Sequence, residues 1–340
     1  MLNNVTTEKA ITIAWLSVLL SCSWPLPTTA TKLQVAVYKM LRIGCLLSAT
    51  LLLLPLAYGI YMQFHNHITL TKLIFQHFTV SIFYYDSNIY YTFHLLQFII
   101  EEMQTYCKNA NAEQRRILQK YIDKCKTFYG GSIAWFYGTA SVLCVGPLFM
   151  PQPFPTPAEY PFPTVYLPLK MFIYLHQCFV LLQVAAHVCI NCFCALLLWF
   201  ASARFKILME EMQKVTEFTK FVACIREHKH VRSYAAEVTI AVRYVALMTL
   251  GFSTCALMFC GYTFISHQPL AVTVQFTFLS VTALLESFMC AWPADHLTSM
   301  VSFRLLLYCV PLIHCTVSTL LRRVRLLLKV RTNLYGTSNQ

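Results

Sequence analysis

The sequence has 340 residues, of which 57% are hydrophobic and only 12% are charged, and its mean hydropathy is +0.56. A soluble domain carries about a quarter charged residues, so this composition excludes a soluble globular protein and indicates an integral membrane protein. The net charge of +12 is typical of basic residues that flank apolar spans and meet anionic membrane lipid, and it does not indicate a nucleic-acid partner.

Repeated apolar blocks predict an all-α fold, a polytopic membrane helix bundle with seven spans. Each block is about 20 residues long, which matches the hydrocarbon thickness of a bilayer. The last block is the weakest because it contains Arg304, Pro311 and His314. The predicted spans are 41–62, 74–96, 128–150, 171–200, 238–265, 270–292 and 302–321.

The segment 10–22, ahead of the first span, is also apolar. One interpretation is a cleaved signal peptide, although the segment has a weak basic region before it and prolines at Pro25 and Pro27. The other is an amphipathic helix that lies on the membrane face. The sequence leaves both open.

Lysine and arginine are concentrated in alternate connections. The connections 97–127 and 201–237 hold thirteen of them, whereas 63–73, 151–170 and 266–269 hold two. Basic residues mark the cytoplasmic side, so the N-terminus is predicted to be cytoplasmic and the long connections to be water-exposed helices that continue the spans. This inverted topology excludes a receptor coupled to G proteins, whose N-terminus lies outside.

The outer connection is rich in proline, with seven prolines in 151–168. Proline disfavours helix, so we expect a semi-extended segment that could cover the mouth of a pocket. Cysteines and a histidine cluster in "HVCINCFC" (187–194), but the stretch lies within an apolar helix, which favours packing over a metal site. The sequence contains no motif for a cofactor or a catalytic centre.

Three ionisable residues, Asp86, Arg243 and Glu286, fall within predicted spans. Such residues are costly in hydrocarbon and usually face a cavity or a partner. Arg243 and Glu286 lie at similar predicted depth on adjacent spans, and our hypothesis is that they pair; the alternative is that each reaches headgroups or water alone. Asp86 lies in the tyrosine-rich "SIFYYDSNIYY", which would suit either a water-filled cavity or hydroxyl groups bonded between helices.

Aromatic residues crowd the predicted outer halves of several spans. A mostly apolar cavity with a few polar groups suits a small organic ligand, although residues at this spacing also form ordinary bundle core. These residues are Phe75, Phe78, Phe136, Tyr137, Phe172, Phe179, Phe276 and Phe278.

Several stretches together resemble the insect odorant receptor family. They are "SCSWPLP" and "YKMLRIG" before the first span, "LLQFIIEEMQTYCKNANAEQRRILQKYIDKCKTFYG" into the third, "PTPAEYPF", "CIREHKHVRSYAAEV" before the fifth and "CAWPADHL" after the sixth. The resemblance covers roughly residues 1–297 and divides the chain into a cytoplasmic segment 1–40, a membrane domain 41–297 and an atypical ending 298–340.

The resemblance implies a ligand-specific subunit of an odorant-gated, non-selective cation channel in the plasma membrane of olfactory sensory neurons. It implies assembly with a shared co-receptor into a tetrameric hetero-oligomer, a small volatile organic ligand, and no cofactor or catalytic step. The family's pocket lies in the outer half among spans two to six. Carried onto this chain, the ligand-binding residues are Phe75, Phe78, Tyr137, Ser141, Phe172, His176, Phe179 and Phe276.

The ending departs from the family pattern of a cytoplasmic helix followed by a pore-lining last span. If 302–321 crosses the membrane, five basic residues between 322 and 331 lie outside, against the charge bias. If it does not, those residues form a basic amphipathic helix on the inner leaflet. Two alternatives to a working channel subunit follow: a transporter with a midplane site near Asp86 and Glu286, and a truncated, non-conducting relative of the receptors.

Overall fold

The computed structural model describes residues 6–62, 89–149, 153–265 and 273–300, apart from positions 23, 28, 157 and 275. These residues contain helices and no strand, which confirms the predicted all-α fold. In chain order the helices are α1 Thr7–Ser17, α2 Lys32–Met62, α3 Ile89–Asn109, α4 Ala112–Val145, α5 Leu167–Val188, α6 Ile190–Gln213, α7 Phe218–Ile265 and α8 Phe276–Met300. Short 3₁₀ turns follow α1 and α4, at Leu19–Ser21 and Gly146–Leu148.

Five helical stretches of the described chain are long and apolar enough to cross a membrane. They are Lys32–Tyr58, Ala112–Leu148, Leu167–Gln213, Phe218–Tyr262 and Phe276–Met300. They overlap five of the seven predicted spans. Most of the span 74–96 and all of 302–321 lie outside the described residues, so the count of seven stays a prediction.

The two long basic connections contain helix, as predicted from their charge pattern. α3 runs on to Asn109, and α4 begins three residues later with a capping box at Asn111 and Gln114. Asn111 accepts a hydrogen bond from the Gln114 N–H at 2.8 Å, and the Gln114 side chain accepts one from the Asn111 N–H at 3.0 Å. This box bonds two N–H groups that the start of the helix would otherwise leave unpaired.

The core is centred on α6. Seventeen of its 24 residues are buried, and it packs against α1, α4, α5 and α7. Only Cys189 separates it from α5, and the two helices together form the membrane-capable stretch Leu167–Gln213, which contains the predicted span 171–200. Cys189, Cys192 and Cys194 are buried, in agreement with the packing interpretation.

The N-terminal helix α1 packs against α4 and α6. The chain then turns at Cys22, whose φ of 49° is in the left-handed region, and the Trp24 ring lies 4.8 Å from the ring of the buried Phe193. Protein therefore covers one face of α1, which distinguishes it from a helix lying on the membrane face alone.

Side chains of α4 and α6 hold the middle of α8. Tyr129 donates to the carbonyl oxygen of Met289 at 3.0 Å and accepts a hydrogen bond from the Trp199 indole at 3.1 Å. The Lys124 ammonium group lies 5.4 Å from the ring centre of Trp199 and 5.7 Å from that of Trp292. Hydrogen bonds and cation–π contacts thus join these three helices.

The chain divides into two compact units. The first, Met1–Ala294, contains α1 to α7 and most of α8. The second is Asp295–Gln340, of which residues 295–300 are described as helix.

Candidate functional site

The α4 side of the predicted ligand region is formed by Tyr137 and Ser141. Tyr137 is half-buried and donates from its hydroxyl to the Ser17 carbonyl oxygen of α1 at 2.7 Å. Ser141 is exposed and donates to the Tyr137 carbonyl oxygen of its own helix at 2.8 Å. The structure therefore turns Tyr137 toward the end of α1, a contact between residues 120 positions apart that no sequence pattern indicated.

On α5, the predicted residues lie on different faces. His176 is half-buried, and its Nε2 lies 3.1 Å from the Ser48 carbonyl oxygen of α2. A carbonyl oxygen only accepts, so in this contact Nε2 carries the proton. Phe172 and Phe179, in contrast, are 70% and 44% exposed, and with Leu175 they form an outward-facing stripe at helical spacing.

Phe276 of α8 is buried, at 3% exposure. Farther along α8, Trp135 of α4 stacks on Phe278 with ring centres 5.2 Å apart and donates from its indole to the Thr282 hydroxyl at 3.1 Å. Sequence reasoning missed Trp135 and Thr282. The available signal was that an indole N–H in an apolar span needs an acceptor.

Of the eight predicted ligand-binding residues, Phe75 and Phe78 lie outside the described part of the chain, as does Asp86. Three described residues are buried or half-buried, and two of them bond to other helices, Tyr137 to α1 and His176 to α2. These are Tyr137, His176 and Phe276. Three are exposed: Ser141, Phe172 and Phe179.

The proline-rich outer segment docks on this region, as its composition suggested. Its residues Thr156 and Tyr160 meet Gln177 of α5, which is fully buried. Gln177 accepts a hydrogen bond from the Thr156 N–H at 2.9 Å and donates to the Tyr160 hydroxyl at 3.1 Å. Ala158 joins the apolar cluster between α2 and α5. The segment thus packs against both of these helices.

The predicted ion pair between Arg243 and Glu286 is wrong for the described structure. Glu286 accepts a hydrogen bond from Ser253 of α7 at 3.0 Å, and the Arg243 side chain is exposed. Ser253 is ten residues beyond Arg243, about 15 Å along a helix. The sequence estimate counted depth from approximate span ends, which do not fix how far two neighbouring helices are shifted along one another.

A second polar centre lies at the predicted cytoplasmic end, around Arg204 of α6. We call Arg204, Glu102, Glu227 and His230 the Arg204 network. The guanidinium group is 3% exposed, forms an ion pair with Glu102 of α3, and lies 3.1 Å from Glu227 and 3.2 Å from His230 Nδ1 on α7. One buried charge therefore joins three helices.

Two tyrosines flank the same guanidinium group. The ring centre of Tyr106 is 4.7 Å from the Arg204 guanidinium carbon, and that of Tyr234 is 5.2 Å from it. Burial raises the pKa of Tyr106 to about 12, so its ring remains a neutral phenol. Beside it is a cavity of about 70 Å³ lined in part by Glu211 and Glu227, room for about two water molecules.

Comparison with known proteins identifies this architecture. The profile of the 7tm Odorant receptor family matches residues 55–311. The chain belongs to the odorant receptor family. The match continues fourteen residues past Leu297, from 297 to 311, so the family-like part of this odorant receptor reaches into the predicted last span.

Two solved structures share the fold of this odorant receptor. One is the insect olfactory receptor OR5 from Machilis hrabei, with a TM-score of 0.67, 13% identity, and coverage of 86% of this chain and 80% of that one. The other is the same receptor in complex with eugenol, with a TM-score of 0.66, 14% identity, and coverage of 87% of both chains. No curated protein sequence matches the chain.

Proposed function

We propose that this chain is the ligand-specific subunit of an odorant-gated, non-selective cation channel in the plasma membrane of olfactory sensory neurons. The observation that carries the proposal is the family match over residues 55–311, which spans four of the five membrane-capable helices and part of the first. A channel subunit performs no catalytic step. Its partner is the shared co-receptor, in a tetrameric hetero-oligomer.

The proposed ligand is a small volatile organic molecule bound in the predicted outer half of the bundle. The OR5 complex with eugenol, a small aromatic alcohol, supports this ligand class. So does the chemistry of the inward-facing residues Tyr137, His176 and Phe276, which offer two aromatic rings and an imidazole beside apolar helices. Phe75 and Phe78 are proposed to complete the site.

The test is odorant-evoked current in cells that express this chain with the co-receptor, against a panel of volatiles that includes eugenol. We expect currents that require both chains. Uptake of substrate by this chain alone would instead indicate a transporter, and a chain that reaches the surface with the co-receptor but passes no current would indicate a non-conducting relative.

Three variant pairs test the location of the site. Phe276→Ala and His176→Ala should each raise the half-maximal ligand concentration about tenfold, the effect of about 1.4 kcal/mol of lost binding. The controls are variants of exposed residues. Phe172→Ala and Phe179→Ala, on the exposed stripe, are the controls for Phe276→Ala and His176→Ala. Ser141→Ala is the control for Tyr137→Phe. Equal shifts from inward-facing and exposed residues would contradict this location.

A further inference from the structure

One face of α7 is exposed on both sides of residue 238, where the predicted span begins. Within the span, Ile240 and Leu247 are 61% and 59% exposed, while Val238 and Val242 on the opposite side of the helix are buried. Hydrocarbon accepts apolar side chains as readily as a protein core does. The exposed face of α7 beyond residue 238 is therefore expected to meet lipid.

Arg243 lies on this lipid-facing side, between Ile240 and Leu247, and its side chain is exposed. It is five residues inside the predicted span, about 8 Å from the start of the span along the helix. A charge is costly in hydrocarbon, so a long basic side chain extends toward the headgroups. Helix side chains also lean toward the N-terminus, which for α7 is the predicted cytoplasmic side. The guanidinium group is thus expected at the level of the inner-leaflet phosphates.

Two more basic residues lie on the same face, before the predicted span. Arg232 and Lys229 precede Arg243 by eleven and fourteen residues, close to three and four whole turns, and both are exposed. We call these three residues the α7 basic face. Among the residues that the structure describes, none forms an ion pair with any of the three. The described part of the chain thus leaves three positive charges on one face for an anion from outside.

The depths of the three residues indicate which lipid fits. The headgroup layer of a bilayer is about 5–8 Å thick. Arg232 and Lys229 precede the span by six and nine residues, about 9 and 14 Å along the helix. A lipid with a single phosphodiester reaches Arg243 only. A headgroup that carries further phosphates on a ring projects farther into the cytoplasm, toward Arg232 and Lys229.

We propose that the α7 basic face binds an inner-leaflet lipid with a phosphorylated inositol headgroup. Arg243 binds the phosphodiester, for which a guanidinium group supplies two parallel donors, and Arg232 and Lys229 bind the phosphates of the ring. The acyl chains lie along Ile240 and Leu247. This site goes beyond the proposed function and does not depend on it, because it rests on α7 alone.

The experiment is native mass spectrometry of the purified full chain in a non-ionic detergent, titrated with dioctanoyl phosphatidylinositol bisphosphate. Dioctanoyl phosphatidylcholine and phosphatidylserine are the lipid controls, and inositol trisphosphate is the headgroup without acyl chains. We expect one bisphosphate lipid per chain, bound at least tenfold more tightly than either control lipid. It should also bind more tightly than inositol trisphosphate, which has no acyl chains to bury.

Arg243→Gln, Arg232→Gln and Lys229→Gln should each weaken this binding about fivefold, the effect of one basic residue near an anionic membrane surface. Lys220→Gln is the matched control, because it removes the same charge from an exposed side chain of the same helix. Lys220 precedes Lys229 by nine residues, two and a half turns, so it lies on the opposite side. It should leave the affinity unchanged.

Equal weakening by Lys220→Gln and by the variants of the α7 basic face overturns the site, because binding then follows net charge alone. A wild-type chain that binds phosphatidylcholine as tightly as the bisphosphate lipid also overturns it, whatever the variants do. Equal affinity for inositol trisphosphate overturns the assignment to a membrane lipid. If the variants keep their lipid affinity but lose the mass of the complex with the co-receptor, the face is a contact between subunits and the lipid site is wrong.

Discussion

Removal of the Arg204 charge is expected to destabilise the predicted cytoplasmic ends of three helices. Arg204 is 3% exposed, whereas its partners Glu102 and Glu227 are 18% and 47% exposed. In Arg204→Met, the largely buried Glu102 carboxylate loses its ion pair and keeps only the more distant His230, whose Nδ1 lies 3.8 Å away, while Glu227 regains water. Breaking a buried pair from one side costs about 3–5 kcal/mol. Because only one of the two carboxylates is strongly buried, we expect a loss of about 3 kcal/mol.

A matched control lies on the same helix end. Lys214 pairs with Glu113, but their side chains are 58% and 51% exposed, and an exposed ion pair contributes about 0–1 kcal/mol. Lys214→Met should therefore have little effect. Combining Arg204→Met with Glu102→Gln should recover part of the loss, because the unpaired carboxylate is then neutral.

The assay is equilibrium unfolding in mixed micelles of increasing SDS content, followed by tryptophan fluorescence. It gives the change in free energy of unfolding for each variant. Equal losses in Arg204→Met and Lys214→Met would refute the reasoning, since it attributes the larger loss to the burial of the Arg204 ion pair. A double variant no more stable than Arg204→Met would show that the loss does not come from the stranded Glu102 carboxylate.

Three further predictions concern other parts of the bundle. Gln177→Leu should speed proteolysis of the proline-rich outer segment, because the substitution removes the amide that binds this segment. Gln183 lies on the same helix, and the described residues give its buried amide no partner beyond a cysteine thiol. Gln183→Leu should therefore change the free energy of unfolding by less than about 1 kcal/mol. Ser253→Ala should lower the free energy of unfolding by about 1–2 kcal/mol in the SDS assay, because it removes the hydrogen-bond donor to the Glu286 carboxyl. Arg243→Gln should change this free energy by no more than about 0.5 kcal/mol, because the Arg243 side chain is exposed. Burial raises the pKa of the Cys107 thiol to about 11, so its labelling by a maleimide should accelerate about tenfold per pH unit from pH 7 to 10, and a plateau near pH 9 would contradict this.

Much of the fold could be predicted from sequence because the bilayer acts on each segment separately. A block of apolar residues long enough to cross hydrocarbon must form a helix, since its backbone groups have no other partners there. This is why residues 128–145 of one predicted span, and the whole of the predicted span 238–265, fall within helices. Sequence reasoning missed the capping box at Asn111 and Gln114, although it acts over a single turn.

The candidate site could be predicted only in part, because the sequence of an apolar membrane helix does not indicate which face points into the bundle. Phe172 and His176 are one helical turn apart, yet the first is exposed and the second bonds to α2. In a helix of a soluble protein the outward face is polar, so hydrophobic periodicity shows which face is buried. In a membrane helix both the lipid and the core accept apolar residues, so the same periodicity does not separate the two faces. Composition therefore identified aromatic candidates without separating those that face inward from those that face outward.

The sequence by itself determined that the chain is an all-helical membrane protein of the odorant receptor family, because transfer into hydrocarbon and family motifs are properties of contiguous residues. Only the tertiary structure decided which charges meet. Arg204 lies 102 residues from Glu102, and Glu286 meets Ser253 instead of Arg243. Such partners depend on the rotation and depth of whole helices against one another, and packing sets these after the helices have formed.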